Sequence, residues 1–235
     1  MEVDISTRRV LFVLLTITGI LLALHSVGQI SRLAFGHANL KGLVPLFCVE
    51  DEFNVPSFWS AILWLMSGAV SGFITLCERR AATKHVVYWA GICILCSYFA
   101  LDETVQIHER LGTVMVSLVA ARGGKVNALL YYLWVVPGGL FALAVFVLYS
   151  RFLLALPRRV AVLFVVSGVL FLSGALCMEL YEGTLDAAGK YMGPLYTVCV
   201  TIEEGLEMVG VSVFVYTLLE YVATAHGQIE LKVSE

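Results

Sequence analysis

Six stretches of the chain are almost unbroken runs of apolar residues, at positions 10–33, 58–77, 86–107, 128–149, 160–181 and 195–219. About 20 such residues are needed for a helix to cross roughly 30 Å of hydrocarbon, and within lipid a helix satisfies its own backbone groups without leaving an edge. The pattern therefore predicts an all-α, polytopic membrane helix bundle of six transmembrane helices, formed by residues 1–235 as a single domain. An even number of spans puts both termini on one side, and these are expected to be cytoplasmic. Connections are short, except for about 25 residues between the first two spans. Arg8 and Arg9 precede the first run, which reads as an uncleaved first helix rather than an export signal.

Composition supports this reading: 60% of the 235 residues are hydrophobic and 14% charged, with a mean hydropathy of +0.89. Neither a soluble domain nor a nucleic-acid partner is expected. Lys and Arg favour cytoplasmic loops. With the N-terminus inside, nine of the 15 basic residues fall on the inner side and six on the outer. Acids distribute the other way. Of 18, six fall inside (Glu2, Asp4, Glu78, Glu220, Glu230, Glu235) and twelve approach the outer face.

Most of those twelve lie within or at the ends of apolar spans. Glu203 and Glu207 lie about 13 and 20 Å along their helix from Pro194 at 1.5 Å per residue. An ionisable group at that depth is costly unless it is paired, metal-bound or hydrated, so it marks a candidate functional site. The third span places Asp102, Gln106 and Glu109 along one helical stripe, with Glu103 and His108 beside it. The fifth aligns Glu179, Glu182 and Asp186, and the sixth supplies Glu203, Glu204 and Glu207. Like charges so close cannot all ionise in a low dielectric. Arg110 is the only basic residue in these motifs.

A bound metal resolves the imbalance, since inward carboxylates plus histidine from facing helices build di-iron and di-manganese bundle sites, although the usual Glu-x-x-His pair is absent. The expected ligands are Asp102, Glu103, His108, Glu109, Glu179, Glu182, Glu203, Glu204 and Glu207, with Glu103, Glu109 and Glu204 as candidate catalytic groups. His25, near the outer end of the first span, is either a further ligand or a packing histidine. Glu52, in the acidic loop Glu50-Asp51-Glu52, is placed to close the site from above, while Asn54 and Pro56 cap and start the second span. The metal is a divalent or redox ion, iron, manganese or zinc. Proton-sharing carboxylates and purely structural pairing remain open alternatives.

Cys93 and Cys96 have Cys-x-x-Cys spacing but lie deep among apolar residues, and read as packing thiols. Cys177 and Cys199 are possible soft ligands. Ser67, Gly68, Ser71 and Gly72 form a small-residue face for close helix packing. Pro137-Gly138-Gly139 is expected to kink the fourth span. Tyr131, Tyr132 and Tyr196 fit an interfacial belt.

Three short motifs, Glu52 to Pro56, Leu101 to Glu109 and Glu203 to Met208, spread over most of the chain. In them the sequence resembles a recurring group of uncharacterised bacterial multi-pass membrane proteins. The resemblance implies a bacterial inner (plasma) membrane, with the site facing the periplasm or exterior, and no particular activity. The leading expectation is a metal-dependent membrane enzyme, a hydrolase or oxidoreductase, with membrane lipid as partner and a lipid-like or membrane-soluble substrate. A cation- or proton-coupled transporter and an accessory subunit of a membrane complex are the alternatives.

Overall fold

The computed structural model describes residues 6–225. Glu2, Asp4, Glu230 and Glu235, assigned above to the inner side, lie outside the described residues. Among the described residues the chain is helical throughout, with six helices long and apolar enough to cross a membrane. These are α1 (Thr7–Phe35), α2 (Val55–Arg80), α3 (Val86–Val105), α5 (Val135–Ala155), α6 (Arg158–Ala187) and α7 (Pro194–Ala225). An additional helix, α4 (Ile107–Ala121), lies between α3 and α5.

α6 and α7 make the most extensive contact and α2 and α3 the next; in the latter, Gly68 and Gly72 let α3 approach. A Cβ on Gly68 would meet Cys96 Cβ at 3.6 Å, and one on Gly72 would meet Cys93 Sγ at 3.3 Å. The Cys-x-x-Cys pair is thus part of a helix interface, and all six cysteines are free. α7 is the central helix and packs on α1, α2 and α6. Gly174 and Gly210 set the α6–α7 distance: a Cβ at Gly174 would lie 2.7 Å from the Glu203 carbonyl oxygen, and one at Gly210 2.7 Å from the Phe171 nitrogen. Without a hydrophobic force between helices in lipid, such close approach is a main source of cohesion.

The bundle is tied at the end opposite the acidic cluster. Thr7 donates to Glu220 Oε1 at 2.5 Å, joining the start of α1 to the end of α7. Arg159 pairs with Glu220 Oε2 at 3.1 Å. Tyr221 donates to Glu78 Oε1 at 2.6 Å, and Thr83 donates to the other Glu78 oxygen. The first and last spans therefore have their outer chain ends on the same side.

Four details depart from the sequence expectation. The third span does not run through its motif as one helix. It breaks at Gln106, whose φ of 57° lies in the left-handed region. Asp102 Oδ1 accepts the His108 backbone N–H at 3.0 Å across the break, so a side chain replaces the interrupted backbone ladder. Asp102, Gln106 and Glu109 consequently do not form one continuous stripe. The connection to the next span is also long, because α4 and a 3₁₀ turn at Ala128–Leu130 occupy residues assigned above to a short link and to the start of span four. With α5 starting at Val135, Pro137 falls in its first turn, where its missing N–H has no helical partner to lose. It starts the helix rather than kinking it. Finally, α6 contains a π-helical turn at Ser173–Met178, just before its acidic segment.

Candidate functional site: an acidic head on an apolar cavity

A cavity of about 1040 Å³ opens among α3, α4, α5, α6 and α7. All twelve acids expected on the outer side line it: Glu50, Asp51 and Glu52 from the α1–α2 loop, Asp102 and Glu103 from α3, Glu109 from α4, Glu179, Glu182 and Asp186 from α6, and Glu203, Glu204 and Glu207 from α7. His108 joins them, and among the described residues no Lys or Arg does. Arg110 turns away, its Nε donating to the Val105 carbonyl at 2.9 Å.

Each helix delivers its acids for a local reason. The final segment of α6 carries Glu179, Glu182 and Asp186 at helical spacing on one face, and the π turn immediately before it resets the angle of that face, as such turns often do beside functional sites. Gly174 allows the Glu203 backbone and the Glu207 side chain to come alongside α6. In the α1–α2 loop, Asn54 accepts from the Ser57 N–H at 3.2 Å, and Ser57 Oγ accepts the Asn54 N–H at 3.1 Å. Asn54 Nδ2 also donates to the Cys48 and Asp51 carbonyls at 2.6 and 2.7 Å, which holds the acidic triplet over the cavity.

Asp102 and His108 form the best-defined polar pair. Asp102 Oδ2 lies 2.6 Å from His108 Nδ1. Burial alone would depress the imidazole, but its hydrogen bond and charge interaction with Asp102, helped by Glu179 and Glu109, outweigh that and raise its pKa. Nδ1 is engaged by a carboxylate, so Nε2 is the nitrogen left for a ligand, which is the arrangement that orients metal-bound histidines. The His108 ring also packs on Trp134, with centroids 4.6 Å apart. Trp134 in turn donates from Nε1 to Glu179 Oε1 at 3.0 Å.

A second network lies at the rim. Tyr132 donates to Asp186 Oδ2 at 3.0 Å, Tyr196 donates to Glu50 Oε1 at 2.9 Å, and the two hydroxyls are 3.2 Å apart. Burial, against the hydrogen bonds of Tyr196 and Tyr191 and with the charges of Glu179 and Asp51, pushes the Glu50 pKa up to about 7. Burial, reinforced by Glu109, likewise lifts Glu52 to about 7. Tyr132 and Tyr196, read above as interfacial-belt residues, and Trp134, which the sequence reading did not single out, line the same cavity. An aromatic hydroxyl or indole at membrane depth next to three acidic helices was the available signal.

Two carboxylate oxygens have no hydrogen-bond partner although buried, Glu52 Oε2 and Glu182 Oε1. Glu182 is only 2% exposed, and it lies against Glu203, itself 7% exposed, and Glu179. On the other flank Glu103 and Glu204 are near neighbours of Glu207 and Glu52. Among the described residues, no three His, Cys, Asp or Glu side chains converge as a ready-made metal cage. The acids are instead distributed around the cavity wall.

His25 does not reach the cavity. Its Nδ1 accepts the Val49 N–H at 3.1 Å and its Nε2 lies 3.1 Å from Thr201 Oγ1. With both nitrogens engaged and 2% exposure, it pins the α1–α2 loop to α1 and α7. Cys177 is exposed, Cys199 is buried, and neither lines the cavity.

Beyond the acids the cavity continues between apolar walls, with Phe99 of α3, Phe141, Val145 and Phe146 of α5, and Phe164 and Gly168 of α6. No curated protein and no solved structure matches the chain. A family model described as a domain of unknown function (DUF8692) matches residues 10–221, nearly the whole bundle and every residue of the acidic site, and the chain belongs to that family.

Proposed function

We propose that this protein is a membrane-embedded, metal-dependent enzyme acting on a lipid-like substrate. The observation that carries the proposal is the convergence of twelve carboxylates and one imidazole on a single cavity that no Lys or Arg among the described residues lines. Buried like charges at this density require compensating cations or protons, and Glu182 Oε1 is buried without a partner. A divalent or redox ion, iron, manganese or zinc, supplies that charge. Binding would draw glutamate side chains inward from the wall, a movement their flexible stems allow.

His108 through Nε2, with Glu103, Glu204 and Glu207 on one flank and Glu179, Glu182 and Glu203 on the other, form the candidate ligand set. Asp102 orients the imidazole and Glu52 covers the site. A metal there would lower the pKa of bound water or handle oxygen chemistry, and a carboxylate outside the ligand set, with Glu109 best exposed to the cavity, would move the proton. The apolar continuation of the cavity favours a substrate drawn from the membrane. It also speaks against ion translocation, since the path beyond the acids offers aromatic and aliphatic walls. The charge bias supports a site at the outer face, and the resemblance noted above supports a bacterial inner membrane.

Elemental analysis of detergent-purified protein tests the reading. Wild type should retain stoichiometric iron, manganese or zinc after reconstitution, and Glu204→Gln combined with Glu207→Gln should lose most of it while keeping a folded bundle. Metal-free wild type after reconstitution with each ion would overturn it.

A further inference from the structure

The cavity has a shape that the acidic site does not require. α5 is barely buried along its span, at 6%, yet it is fastened at both ends. At the acidic end Trp134, just before its first turn, bonds Glu179 and packs on His108. At the other end Tyr149 donates to the Tyr88 carbonyl of α3 at 3.1 Å, and Phe152 stacks on Tyr88 and meets Trp89 edge-on. Gly91 permits that lower fastening, because a Cβ there would lie 2.2 Å from the Tyr149 hydroxyl. Between the two fastenings α5 stands off from α3, and the space is the apolar limb of the cavity.

From Phe141 to Leu153, both lining the cavity, α5 advances about 18 Å at 1.5 Å per residue. One leaflet of hydrocarbon is about 15 Å deep, half of a 30 Å core. The limb therefore follows α5 for a length close to the depth of one leaflet, joins the acidic head, and lies behind a helix with few buried residues.

We propose that this limb holds one hydrocarbon chain of a membrane lipid, which enters sideways between α3 and α5 while the lipid headgroup lies among the carboxylates. The assignment rests on the reading of the cavity as the reaction site and adds the substrate class, a long-chain amphiphile taken from the bilayer. Gly168 marks the limb wall: it lines the cavity, and a Cβ there meets nothing within 4 Å. A larger side chain at this position starts from an unobstructed Cβ on the cavity wall and takes up room in the limb. Gly139 is equally open but does not line the cavity.

The test is photolabelling of the full chain in phosphatidylcholine vesicles containing a phospholipid with a diazirine midway along one acyl chain. Wild type should be labelled on the facing surfaces of α3, α5 and α6, at Phe99, Phe141 or Val145. Gly168→Phe should reduce that labelling at least fivefold, and Gly139→Phe should leave it within twofold of wild type. Ala142→Trp, which fills the limb from α5, provides a second obstruction should Gly168→Phe fail to fold. Undiminished labelling in a folded obstructed variant, or label spread evenly over the lipid-facing perimeter, would overturn the proposal. Metal content measured on the same samples separates the two readings: an obstructed limb should leave the metal in place, and a metal-free protein that still shows Gly168-sensitive labelling would refute the metal site alone.

Discussion

Replacing Gly174 by alanine tests the packing that assembles the site. The added Cβ would sit 2.7 Å from the Glu203 carbonyl oxygen and 2.7 Å from Glu207 Cγ. The side-chain carbon can swing away, but the carbonyl belongs to the α7 backbone, so α6 and α7 must separate by several tenths of an ångström. Overpacking of this kind costs about 1–3 kcal/mol. Alanine recovers about 0.5–1 kcal/mol of the helix penalty of glycine, leaving a net loss of about 1.25 kcal/mol at the middle of both ranges. At about 2–4 °C per kcal/mol for a chain of this length, Gly174→Ala should unfold about 2.5–5 °C below wild type when followed by intrinsic fluorescence in detergent. Gly168→Ala is the internal control. It has the same chemistry on the same helix with open space around the new methyl, so it should match or slightly exceed wild type. Equal melting temperatures for Gly174→Ala and Gly168→Ala would refute the close-approach account of how Glu203 and Glu207 are positioned.

Other perturbations reach different parts of the site. Asp102→Asn removes the charge that holds His108 Nδ1 at 2.6 Å. The imidazole pKa should fall, as read by histidine NMR titration, and stability should drop by about 1.5–3 kcal/mol, the range for a hydrogen bond to a charged group. Tyr196→Phe deletes the donor to Glu50 and should cost about 1 kcal/mol in chemical denaturation, with little effect on Asp102 and His108. Glu50 and Glu52 are both raised to about 7 from 4.5, so the folded state binds their protons more tightly than the unfolded chain does. Their contribution is complete below pH 4.5 and is lost as pH rises through about 7. The groups around them, Asp51, Glu179, Tyr191 and Tyr196 for Glu50, and Glu109, His108, Asp102 and Ser57 for Glu52, set the position of this window. Metal-free protein should therefore melt higher at pH 5.5 than at pH 8.5, and Glu50→Gln should flatten that slope. A flat profile in the unsubstituted protein would contradict the assignment.

The six spans and their acidic faces were legible because hydropathy acts over a whole helix, and a carboxylate among Leu and Val is conspicuous against it. Every one of the twelve acids assigned to one side by alternating the spans lines the same cavity. Local breaks were not legible. Gln106 carries no glycine or proline signal for its left-handed conformation; what supports the break is a carboxylate four residues earlier bonding a nitrogen two residues later. The start of the fourth span was misplaced because residues 128–134, Ala-Leu-Leu-Tyr-Tyr-Leu-Trp, are as apolar as a span. Pro137 was the better guide, since proline is at home in a first helical turn. His25 illustrates a tertiary effect that helical spacing cannot reveal. Its partners, Val49 and Thr201, come from a loop and from the last helix.

The central claim, that the carboxylates and His108 hold a metal, is tested most directly by X-ray absorption at the metal edge on protein reconstituted with one ion. The account predicts a shell dominated by oxygen with a single imidazole, and loss of the imidazole signature in His108→Gln while oxygen scattering remains. A shell without imidazole in wild type, or one unchanged by His108→Gln, would contradict it.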